Sequence, residues 1–320
     1  MRREETVIER RLLRFETEAL SGLELPCVVA SGAEEGPRLA LIAGIHGCEY
    51  SSISAVIRFL GTLDTHALRG TVTAVPVVNL PSFRARTPFV SPQDGKNLNR
   101  CFPGSYEGTF SDALARAVFD ELIAPSDVLI DLHGGDLVEA LEPFALYDES
   151  PVEEDARTLA ISFGLPYVVR SPTSGGAVSG TTSSAAAAAG VPAVIAEAGG
   201  CGLLEEGAVQ LHLAGLENAL RHLGMLEGEP APPPSGMRSV DRFVWLRCEH
   251  EGWWEPTARA GGRGRRIAGR RGGTEPLRGR RRGDRGAGER RPPLRDFEPR
   301  GRGRRTLARA RSRAVRHDMT

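Results

Sequence analysis

The feature that most constrains the fold is an alternation of apolar runs with segments of helical periodicity between Arg38 and Gly228. RLALIAGIHG (38–47) is a continuous apolar run that ends in glycine, which is typical of a strand buried on both faces. EYSSISAVIRFLGTL (49–63) follows, with apolar residues at helical spacing. Strands and helices in alternation favour an α/β fold with a mixed, largely parallel sheet and helices on both faces.

Further elements continue this pattern. The predicted strands are 71–80, 127–135 and 191–200, and the predicted helices are 111–123, 183–190 and 211–224. In an open α/β sheet, ligands bind beyond the carboxyl ends of the strands. The residues that follow these strands are therefore the candidates for chemistry.

The chain divides into four parts by composition. Residues 1–228 form the main domain, and the proline-rich segment 229–238 has no helical or strand period, so it is predicted to be a linker. Residues 239–256 are predicted to begin a second, small β domain, and 257–320 are an arginine-rich tail.

The formal net charge of zero hides a strong asymmetry. Residues 257–320 carry 22 arginines and 6 acidic residues, a net of +16, whereas 1–256 carry −16. The tail has three interpretations: a disordered nucleic-acid-binding segment, a solvated linker, or an out-of-frame translation. The third is favoured, because the chain has a single lysine and a shifted frame of GC-rich DNA yields strings of Arg, Gly and Pro. The acidic front part and the lack of interleaved aromatics count against nucleic-acid binding.

Two classes of protein are excluded on composition. No run of about 18 apolar residues is present, so no membrane-spanning helix is predicted. MRREETVIERRLLRF (1–15) has no apolar region followed by a cleavage site, so a cytoplasmic protein is expected. The five cysteines are scattered and form no CxxC pair, which argues against a disulfide framework and against a cysteine-built zinc site.

Four predicted strands end in residues that can do chemistry. These residues are His46 and Glu49 after the first strand, Asn79 after the second, Asp131 and His133 at the third, and Glu197 at the last. Each one alone has an ordinary explanation, such as a helix cap or a hydrogen-bonded buried histidine. Together, two histidines and a glutamate with a further glutamate beside them match the ligands and base of a catalytic zinc site.

The remaining polar segments carry weaker signals. NLPSFRARTPFVSPQDGKNLNRCFPG (79–104) is predicted to be a long functional loop, because it is too polar and too rich in proline for a core element. Its candidate substrate-binding residues are Arg84, Arg86, Asn97, Asn99 and Arg100. The other histidines are expected at the surface: His66, His212, His222, His250 and His317.

Four segments resemble motifs of the succinylglutamate desuccinylase/aspartoacylase family, which belongs to the zinc carboxypeptidase-like clan. They are GIHGCEY (44–50), DGKNLNRCFPG (94–104), DVLIDLHGG (127–135) and VIAEAGG (194–200). The four occur in the order of the family, and the resemblance covers about residues 38–256. Beyond Pro256 the chain departs from the family, so the small β domain is expected to be truncated or aberrant.

The resemblance also implies roles for individual residues. His46, Glu49 and His133 would be the ligands of one zinc ion per chain, and Glu197 would be the general base and acid. Asn99 and Arg100 would hold a substrate carboxylate, and either Arg84 or Arg86 would polarise the scissile carbonyl.

The implied activity is zinc-dependent deacylation of a small, carboxylate-bearing N-acyl amino acid through its amide or ester bond. The alternatives are a metallocarboxypeptidase that acts on peptides and a nucleic-acid-binding protein that works through the arginine tail.

Overall fold

The computed structural model describes residues 7–172, 179–244 and 259–262, all within one compact unit. The strands in these residues are β1 (Val7–Arg14), β2 (Glu24–Ser31), β3 (Glu34–Ala43), β4 (Arg69–Val75), β5 (Val128–His133), β6 (Phe144–Asp148), β7 (Tyr167–Ser171), β8 (Ala193–Glu197) and β9 (Arg238–Val240). They form a single sheet in the order β1-β2-β4-β3-β5-β8-β6-β7-β9. Most neighbouring pairs are parallel; β1–β2, β2–β4 and β6–β8 are antiparallel.

Helices cover both faces of this sheet. They are α1 (Tyr50–Thr62), α2 (Leu80–Ala85), α3 (Phe110–Val118), α4 (Glu153–Phe163), α5 (Thr182–Ala188) and α6 (Glu206–His222). Apolar residues of α1, α4 and α6 share one core cluster, and those of α3 and α5 share another. β3 contributes Leu39 and Leu41 to the first core and Ala40 and Ile42 to the second, because successive side chains of a strand point to opposite faces. The predicted α/β class with a mixed, largely parallel sheet is confirmed.

Three parallel strands at the middle of the sheet end at the same edge. β5 lies between β3 and β8, and both of its pairings are parallel. Ala43, the last residue of β3, pairs with Leu132 of β5. His133, which follows Leu132 in β5, pairs with Glu197 at the end of β8. Segments far apart in the sequence therefore deliver their polar residues to one place.

The structure differs from the sequence prediction in two respects. The interval 79–104, predicted to be a loop throughout, contains helix α2, which Asn79 caps by accepting a hydrogen bond from the Ser82 N–H at 3.2 Å. The strands β1, β2, β6 and β7 and the helix α4 had no predicted counterpart. β1 is mostly exposed and rich in arginine, and β6 and β7 have only five residues each, so none of them forms a long apolar run.

The end of the described chain bears on the predicted second domain. The predicted linker 229–238 contains no helix or strand until its last residue, Arg238, where β9 begins. β9 pairs in parallel with β7 and so belongs to the main sheet. The remainder of the predicted small domain, from residue 245, and almost all of the arginine-rich tail lie outside the described residues, so those predictions stay predictions. In the described ranges, no helix combines the length and the apolar character needed to cross a membrane.

Candidate metal centre and active site

The loop between β3 and α1 carries the first two candidate ligands. His46 and Glu49 stand three residues apart in this loop, and Glu49 directly precedes helix α1. Gly47 allows α2 to pack against the loop, because a Cβ at this position would lie 2.0 Å from the backbone nitrogen of Phe83. The glycine therefore permits a close backbone approach that holds the ligand loop in place.

The third candidate ligand joins them from the end of β5. One donor atom from each of His46, Glu49 and His133 lies within 4.8 Å of the other two. His46 Nδ1 is 2.7 Å from Glu49 Oε1, and His133 Nδ1 is 3.1 Å from Glu49 Oε2. The ring centroids of the two histidines are 5.2 Å apart. Both imidazoles thus direct Nδ1 at one carboxylate between them.

The outer nitrogen of each imidazole is held by an oxygen acceptor. His46 Nε2 donates to Asn97 Oδ1 at 3.1 Å, and His133 Nε2 donates to Asp131 Oδ2 at 2.9 Å. Thr182 Oγ1 donates to the same Asp131 oxygen at 2.6 Å. With Nε2 held by these acceptors, Nδ1 of each ring faces the centre of the cluster, where a neutral imidazole offers its lone pair to a metal ion. Outer partners of this kind orient metal-binding histidines in proteins.

The electrostatics of the cluster match this arrangement. Burial acts to raise the pKa of the Glu49 carboxyl, but the charges of His133 and His46 lower it well below its usual range. Burial acts to lower the pKa of His133, but the Asp131 and Glu49 carboxylates raise it well above its usual range. Without an ion, the carboxylates favour positive charge at this position, which is the charge a divalent cation brings.

The donor set fits a zinc ion. Glu49 is 4% exposed, and its Oε2 accepts no hydrogen bond of good geometry within the described residues, although His133 Nδ1 lies 3.1 Å away. A buried carboxylate oxygen left without a donor is costly unless another partner is available. Two imidazole nitrogens and a carboxylate oxygen are the ligand types of catalytic zinc sites, in which the fourth position is open.

Glu197 lies beside the cluster without belonging to it. It pairs with His133 in the register of β5 and β8, and its half-buried carboxylate makes no hydrogen bond or ion pair with the described residues. Burial raises the pKa of the Glu197 carboxyl well above its usual range; His133 opposes the rise, and the Glu49 and Glu139 carboxylates add to it. A carboxyl group with a raised pKa is suited to accept and return a proton near neutral pH.

Arg100 and Asn99 occupy the border of the site. The Arg100 guanidinium donates a hydrogen bond to the backbone carbonyl of Asn99 at 2.6 Å. It makes no ion pair among the residues the structure describes. Burial lowers the pKa of Arg100, while the nearby charges of Glu139 and Glu197 raise it. Asn99 is buried, and its Oδ1 accepts a hydrogen bond from the Thr182 N–H at 3.0 Å. Arg100 is therefore the member of this pair with a charge still available to a substrate.

The two other candidate arginines are on α2. Arg84 lies in its last turn, and Arg86 ends the helix in a left-handed conformation with φ 54°. Neither forms a hydrogen bond or ion pair with the His46, Glu49 and His133 cluster in the described part of the chain. The charge of Arg86 does act on Cys48 and Tyr50, where it opposes the burial that raises both pKa values. Cys48 and Tyr50 flank Glu49, so the charge of Arg86 acts on the immediate neighbours of a candidate ligand.

Several residues near the site had no specific sequence signal. Asp131 was noted only as part of a strand end, and Thr182 was not a candidate. His212 was expected at the surface, which is wrong: it is fully buried in α6, and its Nε2 donates to the His133 carbonyl at 3.0 Å. Asn79 was noted as a possible site residue, and the structure uses it as the cap of α2. His66 and His222 are exposed, as expected.

A mixed α/β sheet with two histidines and a glutamate at the carboxyl ends of its parallel strands defines a zinc carboxypeptidase-like fold. Residues 35–223 match the model of the succinylglutamate desuccinylase/aspartoacylase catalytic domain. The chain belongs to this family, whose matched domain contains every candidate site residue.

Relatives of known structure or activity agree with this assignment. The chain is 33% identical over 235 residues to the N-alpha-acetyl-L-2,4-diaminobutyric acid deacetylase of Halomonas elongata, covering 71% of this chain and 67% of the relative. It superimposes on a succinylglutamate desuccinylase/aspartoacylase from Rhodobacter sphaeroides with a TM-score of 0.67 and 28% identity, covering 80% and 78% of the two chains. The product-bound ectoine utilization protein EutE (DoeB) from Ruegeria pomeroyi gives a TM-score of 0.64 and 27% identity, covering 75% and 72%. The family and the curated relative are hydrolases that remove acyl groups.

Proposed function

We propose that this chain is a zinc-dependent hydrolase that removes the acyl group from a small N-acyl amino acid. The observation that carries the proposal is the convergence of two imidazole Nδ1 atoms and the Glu49 carboxylate on one centre, with Glu197 adjacent to it. In this proposal His46, Glu49 and His133 hold one zinc ion per chain. A zinc ion held there supplies Lewis acidity, which lowers the pKa of water to about 7 and polarises an acyl oxygen.

Glu197 carries the proton transfers in this proposal. Its carboxylate has no competing hydrogen bond among the described residues, and burial raises its pKa well above that of an ordinary carboxyl. It accepts a proton from the attacking water as the water oxygen bonds to the acyl carbon. It then donates this proton to the departing amine as the C–N bond breaks, so the same group acts as base and as acid.

Arg100 orients the substrate. Its guanidinium has no carboxylate partner in the described residues, and the charges of Glu139 and Glu197 act on it, which supports a role beside the proposed base. A bidentate contact between Arg100 and the substrate carboxylate would fix the acyl group relative to Glu197, and such positioning contributes much of the rate in enzymes. Arg86 is the better candidate for polarising the carbonyl, because its charge reaches the residues that flank Glu49.

The substrate proposal follows the chemistry of the site and the relatives. The Halomonas elongata relative is named for the removal of an acetyl group from a diamino acid. We therefore expect a carboxylate-bearing N-acyl amino acid, with N-acetylated amino acids as the first to examine. A cytoplasmic location stays a prediction.

The test uses the full chain, stripped with a chelator and reloaded with zinc. The panel contains Nα-acetyl-diaminobutyrate, N-acetylaspartate, N-succinylglutamate, a methyl ester of an acetylated amino acid, and a short unblocked peptide. The expected result is one zinc per chain and zinc-dependent release of amine from at least one N-acyl amino acid. Cleavage confined to the peptide would make the protein a metallocarboxypeptidase, and an absence of both zinc binding and hydrolysis would overturn the proposal.

A further inference from the structure

Helix α6 places a buried imidazole behind the metal cluster that the proposed mechanism does not use. His212 is 0% exposed, and its Nε2 lies 3.0 Å from the backbone carbonyl oxygen of His133. Because a carbonyl oxygen only accepts, Nε2 carries the hydrogen in this contact. The other nitrogen, Nδ1, is buried and has no hydrogen-bond partner among the residues that the structure describes.

The contact lies where two functional strand ends meet. The same His133 carbonyl also accepts the N–H of Ala198 at 3.2 Å. Ala198 directly follows Glu197, so this oxygen links the candidate ligand on β5 to the candidate base on β8. His212, on helix α6, adds a second donor to the His133 carbonyl. It thereby restrains the position of the end of β5 relative to the end of β8.

Small residues bring α6 close enough for this contact. Ala208, one turn before His212, faces Gly199, where an added Cβ would lie 3.0 Å from the Ala208 Cβ. Gly215, three residues after His212, packs against the Phe163 ring. Gly215 lets α6 pack against α4, and the Ala208–Gly199 contact brings the start of α6 close to the segment that follows β8, so the imidazole reaches the His133 carbonyl.

The imidazole is a poor choice for packing alone. The His133 carbonyl already has the Ala198 N–H as a donor, so it would not be orphaned without His212. A buried histidine also leaves Nδ1 without a partner, which costs free energy that a methionine of similar size would not cost. The polar contact itself is therefore the feature to be explained.

We propose that His212 is a positioning residue that fixes the spacing between the metal ligand His133 and the base Glu197. The inference rests on the proposed function, because it assigns His212 to the geometry of that site. His212 touches neither the ion nor the substrate in this proposal; it acts through the backbone of His133.

The test compares two replacements that differ in one donor. His212→Gln keeps an amide N–H at about the position of the histidine Nε2. His212→Met keeps the approximate volume of the side chain and removes the donor. His222→Gln is the matched control, because His222 lies on the same helix, is exposed, and contacts Ser162. The measurements are zinc affinity by chelator competition, kcat and KM on the best substrate, and thermal unfolding.

We expect His212→Met to lower zinc affinity or kcat by roughly 10–100-fold, the range observed for partners that orient metal ligands. KM should stay within about twofold, and His212→Gln should recover most of the loss. Equal zinc affinity and kcat in wild type and a folded His212→Met would overturn the inference, as would equal losses in the Met and Gln variants.

A second comparison applies if His212→Met does not fold. His212→Asn places its amide at the reach of Nδ1 rather than Nε2, so Gln should retain function and Asn should lose it; equal behaviour of the two would overturn the inference. The wild type separates this result from the proposed function, because wild-type zinc binding and hydrolysis are measured independently of the His212 variants.

Discussion

Two glutamates at the same edge of the sheet have opposite electrostatic environments. Glu49 lies between His46 and His133, whose charges lower its pKa, so it stays ionised and suits a metal ligand. Glu197 makes no hydrogen bond or ion pair with the described residues, and burial together with the neighbouring carboxylates raises its pKa. Pairs of titratable groups that are shifted in opposite directions mark separate roles in many active sites. We therefore expect the two residues to respond differently to the same substitution.

Glu197→Gln should keep the bound zinc and lose turnover. The amide preserves size and polarity but cannot accept the proton, so kcat should fall by roughly 10²–10⁴-fold, the usual contribution of a general base. Zinc content by atomic absorption and kcat on the best substrate check this result. Loss of the metal in this variant would show that Glu197 is a ligand and that the roles of base and ligand were exchanged.

His46→Ala should lose both zinc and activity. Its Nδ1 is one of the three converging donor atoms, so zinc affinity should fall by more than the roughly 100-fold that loss of an outer partner causes. Chelator competition measures the affinity, and His66→Ala, a change at an exposed histidine, is the control. Stoichiometric zinc at wild-type affinity in His46→Ala would remove this residue from the ligand set.

The convergence of the candidate site residues was predictable from the sequence, but the roles of their supporting residues were not: Asn97, a candidate for substrate binding, contacts His46, and Asp131 contacts His133. His46, Glu49, His133 and Glu197 stand where apolar strands end, and parallel strands bring their ends together. His212 lies on an amphipathic helix whose pattern suggested exposure, because small neighbours such as Gly215 do not mark the buried face as large apolar residues do. The positions of Arg84 and Arg86 are set by α2, a short helix in a polar segment that was predicted to be a loop, so they could not be predicted from the sequence.

At the level of single elements, α6 offers a matched pair of glycines. A Cβ on Gly215 would lie 2.1 Å from the Phe163 ring of α4, whereas a Cβ on Gly207 would meet nothing within 4 Å. Gly215→Ala should destabilise the fold by about 1–3 kcal/mol through overpacking. Gly207 is exposed, so Gly207→Ala should be neutral or stabilising by up to about 1 kcal/mol. Denaturant unfolding of both variants measures the difference, and equal free energies of unfolding would contradict the close packing of α4 against α6.

The sequence predicted the central strand β3, which is buried on both faces, and the amphipathic helix α1 better than the edge strands and the short strands. The run at 38–47 corresponds to β3, and 49–63 corresponds closely to α1 (Tyr50–Thr62). The predicted start of the last helix at 211 was five residues late, because the helix begins with the exposed Glu206 and Gly207, which give no apolar signal. β1 is almost wholly exposed, so its alternation carries no apolar signal. Burial on two faces, rather than strand propensity, made a strand predictable from the sequence.

At the level of the whole molecule, the candidate metal centre connects distant parts of the chain. Its ligands come from the β3–α1 loop and from β5, and their outer partners Asn97 and Asp131 are separated by more than thirty residues. In the described part of the chain, the buried Glu49 Oε2 and Asp131 Oδ1 accept no hydrogen bond of good geometry. Binding of zinc to the folded chain should therefore stabilise the entire sheet rather than the loop alone.

Zinc should raise the unfolding temperature of the full chain, and a chelator should lower it. A ligand at a hundred times its Kd adds about 2.7 kcal/mol to the free energy of unfolding, which for a domain of this size is roughly 5–10 °C. The shift should persist in Glu197→Gln, which retains the ligands, and disappear in His46→Ala. Magnesium at the same concentration is the control, because it prefers oxygen ligands in an octahedral arrangement. A zinc-induced shift of equal size in wild type and His46→Ala would place the stabilising ion at another site, since the proposed centre cannot bind normally without that imidazole.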